Sequence, residues 1–127
     1  VADVELSGMD ELVAKLQTMS DKAGKIEGDA LRAAAEPVAE EMRGLVRVSS
    51  ANEVHIRDNI EISKVKTKDG IRYIEIGPGK KTSWRAKFLE FGTSKMQAYP
   101  FVQPAGEHKF KEAQEIISKK IKEALGL

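Results

Sequence analysis

The 127-residue sequence contains no cysteine. That alone excludes disulfides, zinc-thiolate centres and cysteine nucleophiles, and it is neutral about compartment, because a cysteine-free chain survives either redox environment. No apolar run approaches the ~18–20 residues needed to span a bilayer. Val1-Ala2-Asp3 lacks the basic and apolar regions of a signal peptide, so a soluble, non-secreted protein is expected. A basic excess is missing too: 21 Lys+Arg against 20 Asp+Glu leave a formal charge of +1, which argues against a dedicated nucleic-acid binder. Internal repeats, low-complexity tracts and interdomain linkers are absent, so residues 1–127 are expected to form one domain. A chain of this length buries roughly two thirds of its unfolded surface, enough for a core without staples.

What charge there is divides unevenly. Val1 to Glu61 holds 7 basic and 13 acidic residues, whereas Ile62 to Leu127 holds 14 basic and 7 acidic. Such a dipole suits head-to-tail contact between copies, or a negatively charged partner at the C-terminal half.

Val4 and Leu6 alternate with polar neighbours in a short extended start, and Ser7-Gly8-Met9-Asp10 reads as a helix start with an acidic first turn. Leu12, Val13, Leu16 and Met19 keep helical spacing. Gly24 and Gly28 then loosen the chain before a longer helix, whose apolar stripe is Leu31, Ala34, Val38, Met42 and Leu45. Pro37 lies inside that stripe and predicts a kink or a break. Val46 to Val54 lacks periodicity and reads as a loop.

Asp69-Gly70 between two β-rich runs predicts a two-residue type I′ hairpin. The implied register sets Lys68 opposite Ile71, Lys66 opposite Tyr73, Val65 opposite Ile74, Lys64 opposite Glu75 and Ser63 opposite Ile76. Val65, Ile74 and Ile76 then share the core face. Ile60 and Ile62 fall on the polar face, which implies either a bulge or a cover such as a neighbouring subunit. Gly77-Pro78-Gly79 ends the second strand, and Lys80 to Ser83 continues as a mobile basic loop. Trp84 to Phe91 fits a short helix or a strand. Thr93 to Gln103 is extended or looped, and Pro104 suits the first position of a last helix with the stripe Phe110, Ala113, Ile117, Ile121 and Ala124, stopped by Gly126.

Familiar catalytic patterns fail on inspection. Gly79-Lys80 lacks the rest of a phosphate-binding loop, since Ile74 stands at the first glycine position and Lys81 follows the lysine. His55 and His108 are far apart, and His108 with Glu112 reads as a solvated helix pair rather than a metal site. Adjacent acids such as Glu40 and Glu41 point to different sides of a helix, and no serine sits in a Gly-x-Ser-x-Gly elbow. No enzyme, cofactor, metal site or small-molecule substrate is expected. Lys64, Lys66, Lys68, Lys80, Lys81, Arg85, Lys87 and Lys95, with Tyr73, Trp84 and Tyr99 nearby, form a basic and aromatic cluster that fits either a solvated hairpin face or a nucleic-acid contact.

Phe88-Leu89-Glu90-Phe91-Gly92-Thr93, followed by Pro100-Phe101 and Pro104-Ala105, stands apart. Gly92 ends an aromatic run where the chain must redirect, which predicts a positive φ or close backbone approach. Phe88, Phe91 and Phe101 supply apolar area for a core or a contact, and Glu90 between apolar neighbours is the candidate for a paired or capping carboxylate. The segment resembles the signature of small head-tail joining proteins of long-tailed bacteriophages and prophages, the HK-type lambdoid phage family. The Pro-x-x-Thr-Gly-x-Leu segment common in that family has no counterpart here, where Glu53 to Ile60 occupies its place.

The expected fold is α+β, a small antiparallel sheet with a central β-hairpin packed against a long N-terminal-half helix and a C-terminal helix. The resemblance implies a structural virion protein of the neck, a ring subunit that completes or joins the tail to the head connector, made in the bacterial host cytoplasm during assembly. It implies a homo-oligomer, phage connector and tail proteins as partners, possible contact with DNA in the neck channel, and no membrane. A tail terminator capping the tail tube is the neighbouring alternative, and a nucleic-acid-binding module using the hairpin face is the rival from another class. Ile60, Ile62, Lys64, Lys66, Lys80 and Lys81 are the candidate assembly interface.

Overall fold

The computed structural model describes residues 3–7, 10–19, 22–47 and 55–127. Gly8 and Met9 of the expected helix start, and residues 48–54 of the expected loop, lie outside them, as does the side chain of Met19. The chain order is β1 (Val4–Ser7), α1 (Asp10–Met19), α2 (Ala23–Leu45), a 3₁₀ turn (Ile56–Asn59), β2 (Ile60–Ile62), β3 (Lys66–Lys68), β4 (Ile71–Pro78), α3 (Ser83–Phe91) and α4 (Val102–Leu125). The fold is α+β, as expected. Its four-stranded antiparallel sheet is organised on β4, with β1 along one side and β2 and β3 in succession along the other. α2 packs on β4 and β2, and α4 packs along α2.

Asp69 and Gly70 take φ of 54° and 78°, the two positive values a type I′ turn requires, and β3 meets β4 in the expected register from Lys68 opposite Ile71 to Lys66 opposite Tyr73. Beyond that the register slips by one residue. Ser63 donates its backbone N–H to the Glu75 carbonyl at 2.8 Å, and Ile62 lies opposite Ile76 and Ile60 opposite Pro78. Lys64 therefore does not face Glu75, nor Ser63 Ile76. The cause is the bulge at Lys64-Val65, whose extra residue turns Ile60 and Ile62 onto the face of Ile74 and Ile76. Ile60 is buried in the core and Ile62 packs against it, so the observation that made them interface candidates is removed.

Helix α2 takes in Gly24 and Gly28, which the sequence set before it, and of the kink or break expected at Pro37 the break does not occur, since the helix is continuous from Ala23 to Leu45. Gly24 leaves room for the Arg72 guanidinium, which would stand 3.0 Å from a Cβ there and which binds the buried Glu27 carboxylate at 3.0 Å. Around Pro37, the full burial of Ala34, Ala35, Val38 and Ala39 offsets the roughly 3 kcal/mol that proline costs within a helix. Leu31, Ala34, Val38 and Met42 form the buried stripe as expected, whereas Leu45 is exposed.

Helix α4 begins two residues before Pro104, and Gly126 stops it in the left-handed conformation. Ala113, Ile117 and Ile121 are buried with Val102 and Ala105, but Phe110 and Ala124 are exposed. The segment expected to be a mobile basic loop is a short turn held by the buried Thr82, whose hydroxyl donates to Asn59 Oδ1 at 2.8 Å.

Candidate functional site

The segment from Phe88 to Ala105 is a clamp between two helices. Trp84 to Phe91 is helical, and α3 ends where the Gly92 N–H donates to the Phe88 carbonyl at 2.8 Å. Gly92 takes φ +72°, and a Cβ there would lie 2.9 Å from both the Ala98 nitrogen and the Met96 carbonyl oxygen. Only glycine meets both demands, as expected from its place in the sequence. Thr93 and Met96 then bridge, and the Tyr99 N–H returns to the Leu89 carbonyl at 2.8 Å.

Glu90 closes the clamp. Its Oε1 accepts the N–H groups of Phe101 and Val102, each at 2.9 Å, and its Oε2 accepts that of Gln103 at 3.0 Å. Those three amides open α4 and have no acceptor within the helix. Pro104 has no N–H to satisfy, and Ala105 makes the first intrahelical bond, to the Phe101 carbonyl at 3.3 Å. One buried carboxylate thus completes the helix start and sits at its positive end. Of the paired or capping roles expected for Glu90 the structure shows the capping one, and by holding the Phe101, Val102 and Gln103 amides it supports a start of α4 at Val102 rather than at Pro104.

The three phenylalanines have different fates. Phe101 is fully buried, while Phe88 and Phe91, at 46% and 60% exposure, stand with Trp84 at 61% along one side of α3. Trp84 and Phe88 meet edge to face at 6.4 Å. Tyr99 is taken up by the Arg47 guanidinium, 4.0 Å above its ring.

The basic residues do not form one cluster. Lys66 and Lys68 lie at the hairpin tip and Lys80 and Lys81 beyond the opposite end of β4, which eight strand residues hold more than about 20 Å apart. Lys64 sits in the bulge between. Lys66 is engaged with Glu75, Nζ to Oε1 at 2.6 Å, in place of the expected Lys64–Glu75 pair. That hydrogen bond lowers the Glu75 pKa and raises that of Lys66, while burial and a hydrogen bond with Glu75 raise that of Asp3. His108 Nδ1 lies 2.8 Å from Glu41 Oε2, joining α4 to α2 rather than pairing with Glu112.

On the other side of the sheet a groove of about 630 Å³ runs between β1 and the first turns of α4. Val4, Leu6, Phe91 and Phe110 supply its apolar surface, and Asp3, Glu5 and Glu107 its acidic margin.

A family model described as "Bacteriophage HK97-gp10, putative tail-component" matches residues 10–92. The chain belongs to the HK97-gp10-like family. The match takes in α1, α2, the hairpin and α3, and it ends at Gly92, so Thr93, Pro100, Phe101, Pro104 and Ala105 lie beyond it. No curated protein and no solved structure matches the chain.

For this HK97-gp10-like chain, sequence reasoning missed the groove. Asp3 and Glu5 were visible as alternating polar positions around the first strand, but nothing local reported that β1 would end the sheet or that Glu107 would join them. Phe110 carries the clearer signal. It fits the α4 stripe in spacing yet remains 55% exposed, because the groove beside β1 leaves it uncovered. Among the described residues no helix is long and apolar enough to cross a membrane, and no group of His, Asp or Glu is placed to hold a metal.

Proposed function

We propose that this chain is a structural subunit of the phage neck, assembling with further copies into a ring that joins or completes the tail at the head connector. Membership of a phage tail-component family carries the reading. The exposed row of Trp84, Phe88 and Phe91 supports it, because a contiguous aromatic surface on a clamped helix is suited to docking on another protein. The reading assigns no catalytic step. It puts the chain in the virion, after assembly in the host cytoplasm with connector and tail proteins as partners, and leaves Lys80 and Lys81 available to DNA in the neck channel.

Deleting the gene from its phage or prophage tests the reading by electron microscopy of the lysate. Filled heads beside separate, normal-length tails are expected. Overlong tails would instead assign the chain to the tail terminator, and intact infectious particles would overturn both.

A further inference from the structure

We propose that the groove beside β1 receives the β3 edge of a second copy's hairpin, so that neighbouring subunits extend one another's sheet. This rests on the ring reading above and names the surfaces that make it.

β1 ends the sheet, and three of its residues, Val4, Glu5 and Leu6, border the groove with the preceding Asp3, leaving one strand edge facing open space among the described residues. Such an edge is a template for another strand. The groove also interrupts a buried stripe. α4 covers its side with Gly106 against Val4, where a Cβ would approach to 3.0 Å, and one turn later Phe110 has no comparable cover. A strand laid along β1 would supply it.

Charge selects the occupant. Glu5 and Asp3 belong to the strand's solvent face with Glu75, opposite which Glu5 is registered, and Glu107 adds a carboxylate from α4. Three carboxylates around one strand edge favour a basic strand. On the opposite side of β4, β3 is that strand: Lys66-Thr67-Lys68, exposed throughout, paired with β4 alone among the described residues and closed by a tight turn. Lys66 and Lys68 share the solvent face with Tyr73 and Ile71, and since Lys66 is held by Glu75 of its own chain, a β3 edge placed against β1 sets Lys68 across from the neighbour's Glu5. An acidic edge and a basic edge at opposite sides of one sheet form a heterologous contact, the kind that generates rings when its rotation closes. Strands of four and three residues pair weakly alone, so assembly on a partner ring would supply the effective concentration.

The cysteine-free sequence permits a direct test. Pairs of substitutions, Glu5→Cys with Lys66→Cys, with Thr67→Cys or with Lys68→Cys, are carried into particles and oxidised, with Glu5→Cys plus Lys120→Cys as control. Disulfide-linked ladders of this chain from at least one hairpin pair, and none from the control, are expected, since a bond forms only between Cα atoms within about 7 Å. Charge reversal supplies a second readout: Glu5→Lys or Lys68→Glu should each reduce incorporation into particles roughly tenfold, and the double reversal should restore most of it. Particles that hold several copies but give no ladder and no rescue overturn the edge pairing and leave the ring reading standing. Crosslinks to a different phage protein overturn the choice of occupant. A single copy per particle overturns the ring reading and the pairing with it.

Discussion

Gly92 and Glu90 show how much one residue can fix in a small chain. A side chain at position 92 would meet two backbone atoms at 2.9 Å in a conformation L-residues rarely adopt, and backbone atoms cannot move aside as a flexible side chain can. Gly92→Val should therefore destabilise the protein by about 1 kcal/mol or more, read as a lower midpoint in chemical denaturation. A midpoint equal to the parent's would show that the loop relaxes freely. Glu90 was legible as a paired or capping carboxylate because it stands among apolar residues, yet which of the two, and which amides it caps, was not, since its three donors lie 11 to 13 residues away. Glu90→Gln keeps one acceptor oxygen and turns an NH₂ toward one of those donors. A loss of roughly 1–3 kcal/mol is expected by the same measurement, and Glu90→Asp, one methylene shorter, should recover little of it.

Within the sheet, the turn and the core pattern compete for control of register. Asp69-Gly70 fixes β3 against β4 locally, and Ile60 and Ile62 must nevertheless reach the core, so the one-residue mismatch is absorbed between them. The sequence displayed the conflict plainly; the location of the bulge was set by Ser63, which pairs with Glu75 through both its N–H and its hydroxyl oxygen, at 2.8 and 2.9 Å. The charges on this face follow the slipped register and make a prediction about pH. Glu75 is lowered from 4.5 by its bond to Lys66, so its ionised form stabilises the fold above pH 4.5 and that contribution is lost as pH falls through the lower folded value. Asp3 is raised from 3.8 by burial and by Glu75, so its contribution is complete below pH 3.8 and is lost as pH rises through the folded value. In carboxyl NMR titrations, Lys66→Met should raise the midpoints of both acids, and Glu75→Gln should lower that of Asp3. An unmoved Glu75 midpoint in Lys66→Met would mean that the bridge does not hold in solution.

Across the whole molecule, the acidic and basic halves of the sequence are interleaved: β1 from the first pairs with β4 from the second, and α2 packs along α4. Charge counted along the chain therefore does not divide the folded surface in two, and the acidic β1 and the lysines of β3 lie at the two edges of one sheet. Those edges were not legible, because edge status depends on strand order, which no local pattern of residues reports. The same distinction between local and global attachment governs how the protein comes apart. The sheet, α2 and α4 share one buried core, whereas α3 buries only Ala86 and Glu90 and is held mainly by Leu89, the Thr82 turn and the clamp on α4. Trp84, the single tryptophan, sits on α3 and reports on it alone. In the parent, tryptophan emission and far-UV circular dichroism should give coincident unfolding midpoints, because Glu90 ties α3 to the start of a core helix. In Glu90→Ala that tie is gone, and α3 should loosen at lower denaturant than the core, so the fluorescence midpoint separates below the dichroism midpoint. Coincident transitions in the variant, at whatever stability, would show that α3 is held by its other contacts and that the carboxylate only caps α4.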